Sequence, residues 1–139
     1  LKGKLSYLIS TSKYGPGELK NSFCTPRGKH TIRAKIGTGQ ELGTIFKSRR
    51  PTGEIFSVSK HRLEEGDWIL TRILWLSGIE KGRNRLGNVD TMQRFIYIHG
   101  TPDETILGVP VSKGCINMRN EDVIQVFDLV DVGTMVYIE

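Results

Sequence analysis

The sequence predicts a mainly β domain with one or two short helices. Three observations carry that reading. Short runs rich in Ile, Val, Thr and aromatic residues recur along the chain, Gly- and Pro-containing turns separate them, and a single segment has the apolar spacing of a helix.

The first run, "LSYLIST" (residues 5–11), is read as a strand. "KHTIRAKIG" (29–37) alternates apolar and polar residues, which predicts His30, Ile32, Ala34 and Ile36 on one face. "GEIFSVS" (53–59), "QRFIYIHG" (93–100) and "TMVYIE" (134–139) read as further strands. "DWILTRILWLSG" (67–78) is interrupted by Arg72 and reads as a strand pair or a buried strand. Reversals are expected at "YGPG" (14–17), "GTGQELG" (37–43), "RPTG" (50–53) and "EEGD" (64–67), where Gly and Pro supply turn conformations. "TPRG" (25–28) reads as a type I turn, with Pro26 presetting φ at its second position and Gly28 suited to the fourth. "NEDVIQVFDLV" (120–130) reads as the helix, placed just after a Ser-Lys-Gly-Cys turn (112–115). Asn120 is the expected cap, Glu121 and Asp122 complement the positive N-terminal end, and Val123, Ile124 and Phe127 share a face.

At 139 residues the chain is read as one domain over 1–139, long enough to bury a core without staples. Hydrophobic content of 37% and charged content of 25% fit an ordinary globular domain. No apolar run approaches the roughly 20 residues of a membrane helix, so no transmembrane segment is expected. The chain starts at Leu1 without a basic head and apolar stretch, so no signal peptide is visible. The formal charge of +5 suits an anionic partner, but the positive residues are scattered. The densest clusters, "KSRR" (47–50) and "KGRNR" (81–85), lie in Gly/Pro-flanked loops and read as solvated surface. No zinc-finger spacing, RNA-binding aromatic signature or helix-turn-helix pattern accompanies them, and no nucleic acid partner is expected.

Chemistry concentrates in "IYIHGTPDETILGVPVSKGCINM" (96–118). A cysteine nucleophile reacts as thiolate, and a free thiol of pKa about 8.5 is little ionised at neutral pH, so it needs a base. His99 ends a β-type run sixteen positions before Cys115 and is the candidate base. Gly114 lacks a Cβ and permits a tight turn that exposes the thiol and points N–H groups at one spot. Such donors hold an oxyanion, at about 3–4 kcal/mol each. Lys113 adds positive charge beside the thiol. These residues alone leave two readings of Cys115 open, a reactive nucleophile and a small buried hydrophobe. His30, His61, His99, Cys24 and Cys115 show no ligand spacing, so neither a metal nor a cofactor is expected. Cys24 and Cys115 leave one bridge or two free thiols open, though a nucleophilic Cys115 argues against the bridge. Cys24 is read as buried filler.

Taken together, these residues resemble the L,D-transpeptidase (YkuD-type) catalytic domain. That family carries His-Gly-Thr, a Gly-containing loop, then Ser/Thr-His-Gly-Cys followed by an apolar residue and Arg or Asn. This chain has His99-Gly100-Thr101, Gly108, and Ser112-Lys113-Gly114-Cys115-Ile116-Asn117, with "TPRGKHTI" similar to a Thr-Pro-x-Gly element before a strand. Lys113 departs from the pattern, standing where most members have His. The resemblance implies a β-sandwich of mixed sheets in which Cys115 forms a thioester. His99 would act as base, oriented through the Gly100 carbonyl, and N–H groups near Gly114 and Cys115 would hold the oxyanion. Ser112, Lys113 and Asn117 would shape the turn or contact substrate.

The implied substrate is the tetrapeptide stem of peptidoglycan, as donor and as acceptor. The products would be crosslinks between third residues, or attachment of a lysine of a wall-anchored lipoprotein. Water as acceptor would make the activity an L,D-carboxypeptidase. The implied location is extracytoplasmic, in periplasm or cell wall, and the implied state a monomer. The Lys113 departure motivates the rival reading of a peptidoglycan-binding module without turnover.

Overall fold

The computed structural model describes residues 4–63 and 66–139. Among the described residues, eight strands and one α-helix follow in chain order: β1 (Ile9–Ser10), β2 (Gly28–Ile36), β3 (Thr44–Lys47), β4 (Arg50–Ile55), β5 (Ile69–Gly78), β6 (Tyr97–Gly100), β7 (Ile116–Met118), α1 (Asn120–Leu129) and β8 (Met135–Ile138). The strands form one mixed, curled sheet in the order β1-β7-β6-β5-β2-β8, and β3 joins β5 while pairing with β4. Every pairing is antiparallel except β6 with β7, which is parallel.

The pleat separates two apolar layers. Leu74 and Leu76 of β5, Ile98 of β6, and Ile116 and Met118 of β7 pack with Val123 and Phe127 of α1. The alternate residues, Ile73 and Trp75 of β5 and Tyr97 of β6, pack with Phe46 and Cys115. A strand that alternates its side chains between faces can serve both layers, and β6 does so: Ile98 lies under the helix while Tyr97 and His99 take the other face. The mainly β architecture therefore follows the runs that predict it.

Several local expectations are corrected. In β2, Ile32 pairs with Leu76 and Ala34 with Trp75, so a bulge at Arg33 places two residues against one. The face switches there: Ile32 joins the helix-side core and Ile36 the opposite layer, so His30, Ile32, Ala34 and Ile36 do not share one face. Of the two readings of "DWILTRILWLSG", the buried strand holds: one continuous strand runs through it, and Arg72 belongs to an irregularity between Leu70 and Ile73. "LSYLIST" contributes only Ile9 and Ser10 to the sheet. The strand expected at 53–59 runs instead from Arg50 to Ile55, absorbing the "RPTG" turn. β3 and β7 are unpredicted, being too short to display a period. "TPRG" does not close as a type I turn, because the Thr25 carbonyl accepts from Gly17 N–H and Gly28 already belongs to β2. The expected "EEGD" turn includes residues 64–65, outside the described residues.

Asn120 is the most consequential correction. It is the first helical residue, and Arg119 at the cap position makes no side-chain capping bond. The Glu104 carboxylate accepts from Asn120 N–H at 2.9 Å and so does the capping. The buried Asn120 side chain accepts from Thr71 Oγ1 (2.5 Å) and donates to the Thr101 carbonyl (2.8 Å). It thereby joins α1 to β5 and to the end of β6. Gly100 is needed beside it, since a Cβ there would collide with Asn120 Oδ1 and lie 2.8 Å from the Leu70 carbonyl.

Asn120→Ala is expected to lower stability by about 2–4 kcal/mol, because it strands the buried Thr101 carbonyl and Thr71 hydroxyl. Asn120→Ser, a good cap, restores little of this if the side chain bridges as described. Urea unfolding of both variants checks it, and full recovery in the Ser variant would return Asn120 to a capping role.

Candidate active site

Parallel pairing of β6 and β7 sets Ile98 opposite Ile116, His99 opposite Asn117 and Gly100 opposite Met118. Cys115 precedes Asn117 by two residues, so it stands one pleat repeat from His99, about 7 Å along the strand and on the same face. The hydrogen bonds agree with that register. Tyr97 N–H donates to Cys115 Sγ at 3.4 Å, and the thiol donates to the Phe95 carbonyl at 3.5 Å. His99 is buried and its Nδ1 donates to the Gly100 carbonyl at 2.7 Å. A carbonyl only accepts, so Nδ1 carries the proton and Nε2 is left as the basic nitrogen.

Both partners rest neutral. Burial pushes the Cys115 thiol up to about 11; the Tyr97 N–H bond opposes this, the Asp67 carboxylate adds to it, and the Arg94 guanidinium opposes it. Burial also lowers His99 below its ordinary value, against the opposing bond to the Gly100 carbonyl. Cys115 as a whole is half-buried, so its sulfur remains reachable from the groove while the charged form is disfavoured.

The turn that carries the thiol is held from beneath. Ser112 Oγ donates to the Cys115 carbonyl (2.6 Å) and accepts from Gly114 N–H (3.2 Å). That commits both Ser112 hydroxyl and Gly114 N–H to the turn itself. Gly114 has φ +124°, and a Cβ there would press on Ile96 Cδ1 at 3.1 Å and the Cys24 carbonyl at 3.3 Å. The buried Thr25 hydroxyl donates to the Gly114 carbonyl at 3.0 Å and accepts from Ser12 N–H at 3.0 Å. Arg94 donates to the carbonyls of Cys24 (2.5 Å) and Gly17 (3.2 Å), fixing the segment on which Gly114 lies.

A cavity of about 530 Å³ opens over the thiol. Its walls include Arg49, Trp68, Tyr97, His99, Lys113 and Asn117. A smaller cavity of about 310 Å³ shares Phe95 and Lys113 with it but is lined by neither Cys115 nor His99. Cys115, His99, Gly100, Gly114, Ser112, Lys113 and Asn117 are thus brought to one place. Lys113 is exposed at the rim.

The other singled-out groups lie apart. His30 is fully buried, bonded to Thr91 Oγ1 (2.9 Å) and the Gly28 carbonyl (3.0 Å). His61 pairs with Glu54 at 3.0 Å. Both cysteines are free. Cys24 is half-buried rather than enclosed, its sulfur directed at the carbonyls of Tyr14 (3.5 Å) and Ser22 (3.7 Å). Thr25, Arg94 and Tyr97 escape the sequence reading as site residues. Thr25 had a signal, its place in the "TPRG" element, while Arg94 and the Tyr97 N–H had none.

The raised thiol predicts a pH profile. In a Cys24→Ser background, iodoacetamide alkylation of Cys115 is expected to rise about tenfold per pH unit between about pH 7 and 9, without a plateau below about pH 10. A plateau near neutral pH would show a resting thiolate instead.

Comparison with known proteins identifies the family and the fold. A Bacillus subtilis (strain 168) protein bearing the name L,D-transpeptidase YkuD is 33% identical over 97 residues, covering 70% of this chain and 49% of the relative. A structure of L,D-transpeptidase 3 from Mycobacterium tuberculosis, in complex with a faropenem-derived adduct, aligns over 100% of this chain and 46% of its own. Its TM-score is 0.55 at 19% identity, a likeness of fold. An L,D-transpeptidase from Mycobacterium smegmatis aligns over 98% of this chain and 49% of its own, with a TM-score of 0.52 at 20% identity. The chain spans about half the length of these relatives. The L,D-transpeptidase catalytic domain matches residues 2–138, and the chain belongs to that family of enzymes.

Proposed function

We propose that this domain transfers acyl groups of peptidoglycan stem peptides through a thioester on Cys115. The observation that carries the reading is one thiol and one Nδ1-anchored imidazole on the same sheet face, at the floor of one groove. In the first half-reaction the thiol turns from the Phe95 carbonyl toward His99. Nε2 takes its proton as sulfur attacks the carbonyl of the third stem residue. The oxyanion is met by the N–H of Cys115, since Gly114 N–H is already given to Ser112. When the C–N bond breaks, the imidazolium returns the proton to the leaving D-Ala amine. In the second half-reaction His99 takes a proton from an incoming amine, which attacks the thioester. The departing sulfur recovers the proton, closing the cycle.

The neutral resting pair supports general-base catalysis rather than a standing ion pair. A thiol at about 11 is almost wholly protonated at neutral pH, and a depressed imidazole is ready to accept its proton. Asn117, directly opposite His99, and Lys113, at the rim, are placed to meet the stem. An amine from another stem's third residue gives a direct crosslink, and a protein lysine gives a wall attachment. A substrate in the wall implies an extracytoplasmic activity.

Intact-mass measurement after incubation with a carbapenem is expected to show one adduct on the wild type and none on Cys115→Ala. D-Ala release from a tetrapeptide is expected from the wild type and to fall about a hundredfold or more in His99→Gln. An equal adduct on Cys115→Ala would overturn the assignment of the nucleophile. Tetrapeptide binding without D-Ala release would favour a wall-binding module.

A further inference from the structure

The basic run "KSRR" looks like solvated surface in the sequence, but Arg49 leaves that surface. Lys47 and Arg50 pair across the β3–β4 hairpin, and the two residues between them, Ser48 and Arg49, have φ of +49° and +64°. Such a two-residue turn with both central residues left-handed matches the twist of a hairpin. Here it sends the Arg49 side chain to the catalytic groove, whereas Lys47 and Arg50 remain exposed.

The guanidinium is held on three sides. It lies 5.1 Å from the centre of the Trp75 ring and 4.9 Å from that of Phe95, and Nη1 donates to Tyr97 Oη at 3.1 Å. Aromatic faces restrain it without neutralising it. Among the described residues no carboxylate lies within ion-pair distance of Arg49. One of its five N–H groups is used by Tyr97, and a planar fork of this kind matches a carboxylate through two parallel bonds.

Tyr97 sets where that carboxylate would lie. Its N–H meets the Cys115 sulfur and its hydroxyl meets Arg49, so one tyrosine side chain separates the nucleophile from the cation. A donor stem cleaved at its third residue ends in a carboxylate one residue beyond the attacked carbonyl. We propose that Arg49 binds this C-terminal carboxylate and makes the enzyme select donors ending one residue past the scissile bond. The proposal rests on the acyl-transfer reading of the Cys115 site. It gives Arg49 a substrate contact in place of the solvated role expected of its cluster.

The test compares a tetrapeptide donor with its C-terminal amide. In the wild type, kcat/KM for the amide is expected to be about ten- to hundredfold lower. Arg49→Gln is expected to lose a similar factor on the acid alone, so that acid and amide become equal. Arg49→Lys keeps part of the preference. An unchanged acid-to-amide ratio in Arg49→Gln, even with both rates reduced, would show a packing role only and overturn the proposal, as would a wild type indifferent to the amide.

Binding of both peptides to Cys115→Ala and to Cys115→Ala/Arg49→Gln reads the same ratio without turnover. A wild type that releases no D-Ala, while Cys115→Ala still prefers the acid through Arg49, would sink the acyl-transfer reading and leave the carboxylate contact standing. A carbapenem adduct on Arg49→Gln at endpoint is expected, and its absence there would attribute a lost preference to a damaged site and overturn the proposal.

Discussion

The parallel pairing of β6 and β7 is the constraint on which the site depends. Only that register puts His99 and the Cys115 turn on one face, with Ile98 and Ile116 under the helix on the other. Parallel neighbours require a crossover connection, and here it is the stretch between Gly100 and Ile116. That stretch is anchored repeatedly. Asn120 takes the Thr101 carbonyl, Gly108 N–H reaches the Ile9 carbonyl, and the N–H groups of Val111 and Ser112 share the Thr11 carbonyl. β1 then lies along β7 and completes the edge. Helix, crossover and N-terminal segment all serve to bring a thiol back beside an imidazole.

Electrostatics refine what this placement can do. A desolvated thiol resists ionisation, and a desolvated imidazole resists protonation, so the pair stores no charge before substrate arrives. The Gly100 carbonyl settles the tautomer of His99 and keeps Nε2 basic. Around this neutral centre stand cations, with Arg49 and Lys113 on the groove and Arg94 behind the Gly114 turn. The net positive charge of the chain thus has a local counterpart at the site, although most of its cationic residues lie elsewhere.

How far the site was legible varies residue by residue. Cys115, His99, Gly100 and Gly114 stand in compact motifs whose spacing survives folding, since each motif is one turn or one strand end. Thr25 was visible only as part of a supposed turn, because its role is a hydrogen bond to a carbonyl 89 positions away. Arg94 and Arg49 carried no local mark. A guanidinium's task depends on which carbonyls or rings the fold brings to it, and that is not written beside it in the chain. Asn120 misled for a related reason, because a residue chemically suited to capping was claimed by the buried Thr71 and Thr101 groups instead.

By itself, the sequence determined the mainly β class and the position of the helix, and it singled out Cys115 and His99 as candidate nucleophile and base. Those depend on periodicity and on residue chemistry within short windows. The tertiary structure alone decided the strand order, the switch of face at the Arg33 bulge, and the pairing of the unpredicted β3 and β7. It also decided that the thiol rests neutral and that Arg49 joins the groove. These are properties of distant segments packed together, where burial and neighbours override the preference of any single residue.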